Sequence, residues 1–371
     1  MTALPLAQDL LRCASVTPAD AGAQGVLARA LEAIGFTVTP LKFGEIENLY
    51  AEIGSGDLHF CFAGHTDVVP PGAANWSAAP FGGEIRDGVL YGRGACDMKG
   101  AIAAFVAGAA NHLAGGGKSG RISLLITGDE EGPAIDGTVK VLDWMQAQNK
   151  IPDFCLVGEP TNPKILGEMV KVGRRGSINA TLTVHGTQGH VAYPHRVDNP
   201  LHRLVHALDA LIAAPIDAGS EFFEPTSIQI TSIDVGNPVT NLVPDSARAM
   251  LNIRFNERHS GADLAAWMRA TISRHADRFE VDTSVSGESF LTQPGPMLDA
   301  VCRAITATTG QVPKRDTGGG TSDARFIARF CPVAEFGLVG ATMHQVDESV
   351  PVAELEALAS TYCAVLDAFF A

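Results

Sequence analysis

Several features that would assign this chain of 371 residues to a class of protein are missing from it. Its seven cysteines are odd in number and scattered, and none forms a Cys-x-x-Cys pair, so the sequence predicts neither a disulfide framework nor a thiolate zinc site. No stretch approaches the roughly 20 apolar residues that a membrane span needs. Met1 to Leu11 has no basic segment followed by an apolar core and a cleavage site. These absences predict a soluble, cytoplasmic protein.

Basic residues are also in short supply. The chain has 27 lysines and arginines against 41 aspartates and glutamates, which gives a formal net charge of -14. Such a charge repels nucleic acids and anionic membranes at long range, so neither is an expected partner. An anionic small substrate would need a local basic pocket, and the compact segment with Lys171, Arg174 and Arg175 could provide one, because guanidinium groups bind carboxylates bidentately.

Repeats of fixed period and long polar tracts are absent too. Hydrophobic residues make up 46% of the chain and charged residues 18%, which is typical of a folded globular protein. The length exceeds that of one ordinary hydrophobic core. We therefore expect two domains.

The first 160 residues alternate predicted strands with helices, which indicates an α/β fold with a mostly parallel central sheet flanked by helices. The predicted strands are short apolar runs of the kind that a sheet buries on both faces. The segment between the first two strands is rich in alanine, which is typical of a helix. These strands cover 58–63, 121–127 and 154–157, and the helix covers 101–114.

A different pattern begins at Ser177. Ile178, Ala180, Leu182 and Val184 alternate with polar residues, as expected for a strand with one covered face. The predicted order from there is that of an α+β ferredoxin-like fold: strand 177–184, helix 200–214, strands 226–233 and 247–255, helix 262–274 and strand 279–286.

The α/β pattern returns after about residue 289, with a glycine-rich turn at 317–321, a strand near 333–336 and a helix over 352–369. The ferredoxin-like segment is therefore predicted to be an insertion. We expect one domain to consist of residues 1–175 and 289–371, and the inserted domain to consist of residues 176–288.

Acidic or imidazole side chains follow the ends of several predicted strands, where open α/β sheets place their ligands. A single histidine in such a place is more often an ordinary core or surface residue than a metal ligand. The local contexts of the five candidates favour metal binding. They are His65, Asp97, Glu131, Glu159 and His344.

The first context is Gly64-His65-Thr66-Asp67. Strand geometry puts His65 and Asp67 on one face, so the carboxylate can accept the imidazole N–H and orient a metal-binding ring. The alternative is a hydrogen bond between the two side chains at the surface, without a metal.

The second context is Asp97, which stands just before the alanine-rich helix in a glycine-rich segment. A carboxylate in this place could bridge metals, but it could equally cap the helix N-terminus. On the residues alone, both interpretations of Asp97, as a metal bridge and as a helix N-cap, stay open.

The third context is the run Asp129-Glu130-Glu131 between two glycines, directly after an apolar strand. Three like charges at the end of a buried strand need a counterion, which a metal bound to one carboxylate would supply while its neighbour acts as general base. A solvated acidic turn would explain the run only if the loop were fully exposed. Glu159 follows another apolar strand in the same way, and Pro160 then prevents regular continuation.

Nine strings, in this order, resemble the motif set of the di-zinc aminoacylase and carboxypeptidase family, and the resemblance covers the chain from about Gly64 to Glu348. They are FAGHTDVVPPG, YGRGACDMKG, TGDEEGPAIDGT, LVGEPT, KVGRRGS, GTQGHVAYPH, NPLHRL, GGGTSDARFI and EFGLVGATMHQVDE.

The resemblance implies two zinc ions per subunit, for which cobalt or manganese could substitute. One zinc would be held by His65, Asp97 and Glu159, and the other by Asp97, Glu131 and His344, so that Asp97 bridges them. Asp67 would stand behind the histidine ligand, Glu130 would be the general base, and the peptide bond after Asp97 would be cis. Cys96, beside the bridging residue, departs from the usual small residue and would be oxidisable if exposed.

For the inserted domain, the resemblance implies a dimerisation lid, and therefore a homodimer. His190 would reach the partner subunit's active site and donate a hydrogen bond to the oxyanion. The residues implied to bind an N-acyl amino acid substrate are Arg174, Ser177, Tyr193, Asn241, Arg254, Gly320 and Thr321. Thr240 stands where a second asparagine is expected beside Asn241.

The implied reaction is hydrolysis of the amide in N-succinyl-LL-2,6-diaminopimelate to succinate and LL-2,6-diaminopimelate, a step of lysine and diaminopimelate biosynthesis. A related deacylase, such as one acting on N-acetylornithine, would share the metal ligands and the base, and a non-catalytic binding protein of the same family is a further alternative. A carbohydrate hydrolase that uses Glu130 and Glu131 fits poorly, because adjacent residues seldom flank a bond from opposite sides.

Overall fold

A computed structural model of the chain describes residues 1–117 and 120–371. These residues form two units. The larger unit comprises Met1–Val172, Thr292–Asp316 and Ser322–Ala371, and the smaller unit comprises Gly173–Leu291 and Thr317–Thr321.

The secondary structure follows the chain in three segments. The first segment contains α1 (Leu4–Arg12), α2 (Ala23–Ala33), β1 (Thr37–Phe43), β2 (Ile46–Ile53), β3 (His59–His65), β4 (Glu84–Arg86), β5 (Val89–Tyr91), α3 (Lys99–Ala114), β6 (Arg121–Thr127), α4 (Thr138–Ala147), β7 (Phe154–Val157) and β8 (Met169–Lys171). The second contains β9 (Gly173–Arg174), β10 (Gly176–His185), β11 (Gly189–His190), a 3₁₀ turn (Pro194–Arg196), α5 (Pro200–Ile212), β12 (Ser227–Asp234), β13 (Leu242–Val243), β14 (Ser246–Phe255), α6 (Gly261–Ile272), β15 (Phe279–Gly287) and β16 (Phe290–Leu291). The third contains α7 (Pro296–Thr309), β17 (Lys314–Asp316), α8 (Ala324–Ile327), β18 (Val333–Glu335), β19 (Ser349–Pro351) and α9 (Val352–Phe369).

The larger unit is built on a mixed sheet with the strand order β1-β2-β6-β3-β7-β18-β8-β17. Its four central strands, β6, β3, β7 and β18, run parallel to one another. They are short runs of apolar residues, and β3 and β7 are buried along their whole length, as expected for strands covered on both faces. The α/β prediction is confirmed.

Helices α3 and α9 cover the centre of this sheet. The ring of Phe62 on β3 stacks on Phe105 of α3, with centroids 4.2 Å apart, and Tyr362 of α9 packs edge-on against both rings. The two helices approach so closely that a Cβ atom at Gly108 would lie 2.7 Å from the carbonyl oxygen of Ala359. The small residues of α3 therefore serve close helix packing.

The smaller unit is a four-stranded antiparallel sheet in the order β12-β14-β10-β15, with α5 and α6. Strand β10 buries Ile178, Ala180, Leu182 and Val184 in a core shared with both helices, as its alternating pattern predicts. Asn199 caps α5 and Ser260 caps α6, each accepting a backbone N–H with its side-chain oxygen. The strand order is that of the predicted split β-α-β arrangement.

The sequence predicted that the loop 317–321 belongs to the larger domain. In the structure it belongs to the smaller unit. The guanidinium of Arg174 donates to the carbonyl oxygens of Gly318 (3.3 Å) and Gly320 (3.0 Å), and Thr317 donates to the carbonyl of Phe222. These hydrogen bonds hold the loop to residues of the smaller unit.

Over the described ranges of the chain, no helix combines the length and the hydropathy that a bilayer span requires.

Candidate metal centre

The parallel strands of the larger unit bring the predicted ligands to one edge of the sheet. His65 is the last residue of β3, the acidic loop with Glu131 follows β6, and Glu159 lies two residues after β7. Because these strands are neighbours and run parallel, the side chains at their carboxyl ends converge. Asp97 comes from the turn before α3, and His344 from the loop between β18 and β19.

All five predicted ligands meet, in two groups that share Asp97. The imidazole Nε2 of His65 lies 3.3 Å from Asp97 Oδ1 and 3.8 Å from a carboxylate oxygen of Glu159. On the other side, the Nε2 of His344 lies 3.2 Å from Asp97 Oδ2 and 2.9 Å from a carboxylate oxygen of Glu131. Within each group the ligand atoms lie within 4.8 Å of one another, so each could hold a cation.

The donor atoms of the first group fit a metal ion. His65 Nε2 and Asp97 Oδ1 are buried without a hydrogen-bond partner among the described residues, although buried polar atoms are normally paired. Imidazole nitrogens and carboxylate oxygens are donors that zinc accepts. Two unpaired donor atoms that face each other fit a cation bound between them.

The charges of the two groups lead to the same conclusion. Hydrogen bonds with Asp97 and Glu131 raise the pKa of His344 to about 10. Burial raises the pKa of Glu159, and the neighbouring carboxylates of Asp97 and Glu130 raise it further. Burial alone would also raise the pKa of Asp97, but the two histidines outweigh it and lower that pKa below its usual range. The carboxylates thus require positive charge, which metal ions would supply in place of protons.

The prediction that the carboxylate of Asp67 accepts the ring N–H of His65 is wrong, because a different atom of Asp67 does so. The Nδ1 of His65 lies 2.9 Å from the main-chain carbonyl oxygen of Asp67, while the carboxylate is 3.7 Å away. The prediction relied on strand geometry for both residues, but β3 ends at His65 and Asp67 lies beyond it. The ring is still oriented by Asp67, through its backbone.

The carboxylate of Asp67 instead holds the acidic loop. Its two oxygens accept the backbone N–H groups of Glu130 (3.2 Å) and Glu131 (3.0 Å). Asp129 stabilises the same loop from the other side, because it is 2% exposed and accepts the N–H groups of Ile135 and Asp136 with one oxygen. The loop is therefore not a solvated acidic turn, and its three carboxylates have different environments.

Glu130 has the environment of a strong proton acceptor. Burial raises its pKa to about 8, a rise that His65 opposes and that the carboxylates of Asp323, Glu131 and Asp97 increase. A carboxylate held among other negative charges binds a proton more readily than an exposed one, which is the property a general base needs.

Asp97 is not the helix cap that its position allowed. The N-cap residue of α3 is Met98, and no side chain makes a capping hydrogen bond there. Both carboxylate oxygens of Asp97 face the histidines instead, and the peptide bond between Asp97 and Met98 is cis, as the family resemblance implies. Cys96 is buried, so the exposure on which its oxidation would depend is absent.

Three residues around the site were missed by the sequence reasoning. Arg93 and Glu348 form a buried ion pair beside Asp97, and Asp323 is buried with neither carboxylate oxygen hydrogen-bonded among the described residues. All three lie inside strings that carry the family resemblance, at charged positions without an assigned role. A charged residue inside an apolar or glycine-rich string was the available signal, since a buried charge needs a specific partner.

The residues predicted to bind substrate all lie in the smaller unit, where they form local groups. Arg174 contacts the loop with Gly320 and Thr321. Ser177 on β10 and Arg254 on β14 are register partners, and both bond to the side chain of Asn252.

A separate group contains His190, Tyr193 and Asn241. The N–H of Val191, next to His190, donates to the carbonyl oxygen of Asn241, and the rings of His190 and Tyr193 are 5.8 Å apart. His190 is exposed, and its Nδ1 accepts the N–H of Ala192 at 3.1 Å. In the neutral ring this bond places the proton on Nε2, which is then a hydrogen-bond donor.

Solved structures with the same fold span nearly the whole chain. An aminopeptidase PepT from Bacillus cereus matches with a TM-score of 0.81 and 19% identity, covering 99% of this chain and 98% of that one. A metallo-carboxypeptidase of the M20 family from Sulfolobus solfataricus matches with a TM-score of 0.79 and 16% identity, covering 99% of both chains. At these identities the likeness concerns the fold.

Curated relatives are much closer in sequence. The succinyl-diaminopimelate desuccinylase of Acidiphilium cryptum is 61% identical over 367 residues, which cover 99% of this chain and 98% of that protein. The desuccinylase of Gluconacetobacter diazotrophicus is 60% identical over 370 residues, covering 98% of this chain and 96% of its own. The model of the peptidase family M20/M25/M40 matches residues 61–368, a span that holds every ligand of the two groups around Asp97. The chain is thus a member of the peptidase family M20/M25/M40.

Proposed function

We propose that the chain is a two-metal amide hydrolase that removes the succinyl group from N-succinyl-LL-2,6-diaminopimelate, in lysine and diaminopimelate biosynthesis in the cytoplasm. The convergence of His65, Glu159, Glu131 and His344 on the two oxygens of Asp97 supports the chemistry. Identities of 60–61% to desuccinylases over nearly the full chain support the choice of substrate.

The proposed metals are two zinc ions, one held by His65, Asp97 and Glu159 and one by Asp97, Glu131 and His344. Mixed nitrogen and oxygen donors suit zinc, and cobalt or manganese could substitute. When bound, such ions lower the pKa of a water molecule and polarise a carbonyl group.

Glu130 is proposed to take a proton from the attacking water and to return it to the leaving amine. Its carboxylate is not part of either proposed ligand set, and burial together with the neighbouring carboxylates raises its pKa. Asp67 supports this role, because it fixes the backbone of Glu130 without touching the carboxylate. Proton transfer to the amine completes the cleavage and releases succinate and LL-2,6-diaminopimelate.

The smaller unit is proposed to form a homodimer and to supply His190 to the partner subunit's active site. The hydrogen bond from Ala192 leaves Nε2 of the neutral imidazole as the donor, which is what stabilisation of an oxyanion requires. The exposure of His190 also suits a role away from its own surroundings.

Arg174, Ser177, Tyr193, Asn241, Arg254, Gly320 and Thr321 are proposed to bind the carboxylates and the amino-acid end of the substrate. The charges near Arg254 support an anionic ligand. Burial and the neighbouring Arg175 both lower the pKa of Arg254, and Arg175 has an ion pair with Glu224 at 3.3 Å. A substrate carboxylate beside Arg254 would balance the remaining positive charge.

The decisive experiment compares N-succinyl-LL-2,6-diaminopimelate with N-acetylornithine as substrates of the zinc-loaded protein. We expect kcat/KM to be higher for the succinyl compound by at least about a hundredfold, the difference made by two well-placed charge-assisted contacts. A preference for N-acetylornithine would make the chain a related deacylase. Hydrolysis of neither compound, with two metals bound, would favour the non-catalytic member of the family.

A further inference from the structure

A buried ion pair stands beside the metal ligands without belonging to either group. Arg93 Nη1 lies 2.6 Å from Glu348 Oε2, and the two side chains are 2% and 0% exposed. Burying two charges is unfavourable unless additional hydrogen bonds satisfy them. The remaining contacts of the two residues therefore show what the pair is for.

The carboxylate oxygen of Glu348 that does not contact Arg93 binds the backbone that carries Asp97. Oε1 accepts the N–H groups of Cys96 (3.0 Å) and Asp97 (3.2 Å), and the thiol of Cys96 is 3.4 Å from the same oxygen. The carboxylate of Asp97 is thus presented by a main chain that is fixed from the opposite side.

The guanidinium of Arg93 holds the backbone that carries His344. Its Nη2 lies 3.4 Å from the carbonyl oxygens of both His344 and Pro70, and the guanidinium stacks on the ring of Trp76 at 5.1 Å. His344 has φ of +61°, a conformation that residues other than glycine rarely adopt and that its surroundings must stabilise.

The ion pair links the segment that carries Asp97 to the loop that carries His344. Strands β5 and β19 pair antiparallel, with Tyr91 opposite Ser349, and the N–H of Gly92 donates to the carbonyl of Glu348 at 2.9 Å. Arg93 follows one strand and Glu348 precedes the other. His65 and Glu159, in contrast, come from β3 and β7, and neither Arg93 nor Glu348 has a hydrogen bond to them among the described residues.

We propose that Arg93 and Glu348 are positioning residues for the metal site formed by Asp97, Glu131 and His344, and that their ion pair sets the distance between the bridging aspartate and the histidine. This inference rests on the proposed two-metal function. Asp97 is a ligand of both proposed sites, but His344, whose backbone Arg93 holds, belongs to one of them, so the predicted effect is larger at that site.

The test measures zinc binding to the metal-free protein, by competition with a chromogenic chelator that resolves two successive steps. Glu348→Gln keeps an oxygen that can accept the N–H groups of Cys96 and Asp97, but it removes the charge that Arg93 requires. We expect the step that belongs to the site with His344, identified as the step that His344→Ala removes, to lose at least about tenfold in affinity, as changes in residues that orient metal ligands do. Arg93→Lys keeps the charge and loses the forked donor, so it should lose affinity in the same step.

Glu356→Gln is the matched control. Glu356 also accepts two consecutive backbone N–H groups, those of Ala3 and Leu4, but it lies away from the ligands, so both binding steps should be unchanged. His344→Ala removes the site in question and leaves one binding step. Adding Glu348→Gln to His344→Ala should then cost little affinity in that remaining step.

The proposal is overturned if Glu348→Gln and Arg93→Lys, shown to be folded by circular dichroism, leave both steps unchanged or weaken both steps equally. It is also overturned if Glu348→Gln weakens the single step of His344→Ala as strongly as it weakens the second step of the unmodified chain. If the unmodified chain binds fewer than two zinc ions, the two-metal function fails, and this inference fails with it.

Discussion

Asp67 and Glu131 are joined by a hydrogen bond of 3.0 Å from the backbone N–H of Glu131 to a carboxylate oxygen of Asp67. The other oxygen of Asp67 accepts the N–H of Glu130. One buried side chain therefore fixes the proposed base and a proposed metal ligand relative to each other.

Asp67→Asn should disturb this loop without leaving a cavity. An amide can present one oxygen, but its NH₂ group would face a backbone N–H, so one hydrogen bond is lost and two donors confront each other. We expect kcat to fall by at least about tenfold, the effect of a small misplacement of catalytic groups. Steady-state kinetics with a zinc titration would measure it. An unchanged kcat at saturating zinc would show that the loop keeps its position without Asp67.

Glu130→Gln separates the proposed base from the metal ligands. The variant should bind both metals and lose at least about a hundredfold in kcat, the contribution typical of a general base. Glu131→Gln is the matched control, because the same chemical change at a proposed ligand should weaken metal binding. Metal content by elemental analysis and kcat would be measured for both. Near-normal turnover of Glu130→Gln would remove Glu130 from the mechanism.

His190→Ala should lower kcat by about a hundredfold or more while the dimer stays intact, as removal of one oxyanion donor does elsewhere. Mixing it with Glu130→Gln tests whether the histidine acts across the dimer. A mixed dimer would contain one complete site, so random exchange of subunits should restore about a quarter of the full activity. Size-exclusion chromatography would verify the dimer. No recovery after exchange would place His190 outside the partner's site.

Metal removal should destabilise the larger unit, because the carboxylates around Asp97 then face one another without cations. Adding zinc at about a hundredfold excess over its Kd to the metal-free protein should stabilise it by about 2.7 kcal/mol per site. Differential scanning calorimetry on the chelator-treated protein, with and without zinc, would measure the change in Tm. His344→Ala should show a smaller increase than the unmodified chain, and equal increases would argue against a site at His344.

His59, which is not one of the proposed metal ligands, makes the free energy of unfolding depend on pH. It is buried on β3, 2.7 Å from the hydroxyl of Ser123, and burial lowers its pKa to about 4, with a further contribution from Arg121. The folded state therefore binds a proton less readily than the unfolded state. This contribution to stability is present above the ordinary histidine pKa of about 6.5 and is lost as the pH falls toward 4.

The loss should be on the order of 2 kcal/mol in the free energy of unfolding between pH 7 and pH 4. His59→Gln keeps a hydrogen-bonding group and cannot titrate, so it should lose less stability over the same range. Urea unfolding of the metal-free protein would compare it with His202→Gln, which replaces an exposed histidine. Equal pH dependence in all three proteins would contradict the assignment to His59.

The parts of the fold that could be predicted are those in which burial leaves a simple pattern. Strands β6 and β7 and helix α9 have the predicted bounds, because continuous apolar runs and a long amphipathic segment are visible in the sequence. Strands β1 and β2 were not predicted. Strand β1 lies at the edge of the sheet, contains Pro40 and alternates irregularly between exposed and half-buried residues, so it lacks a strand signal.

The candidate site shows a similar division. The five ligands could be chosen by residue type and motif, but the atoms that they use could not. The role of Asp67 depends on the end of β3 at His65, and the pair Arg93–Glu348 depends on a contact between residues far apart in the chain. Neither the end of a strand nor a long-range contact is recorded in a local sequence pattern.

The ligands of the proposed metal centre come from the first and third segments of the chain, from His65 at the end of β3 to His344 shortly before α9. A site assembled from such distant positions has high contact order and cannot exist in a locally folded intermediate. Only the group with His344 needs the last segment, so uptake of the zinc at that group during refolding would report the arrival of this segment, whereas the group of His65, Asp97 and Glu159 needs the first segment alone.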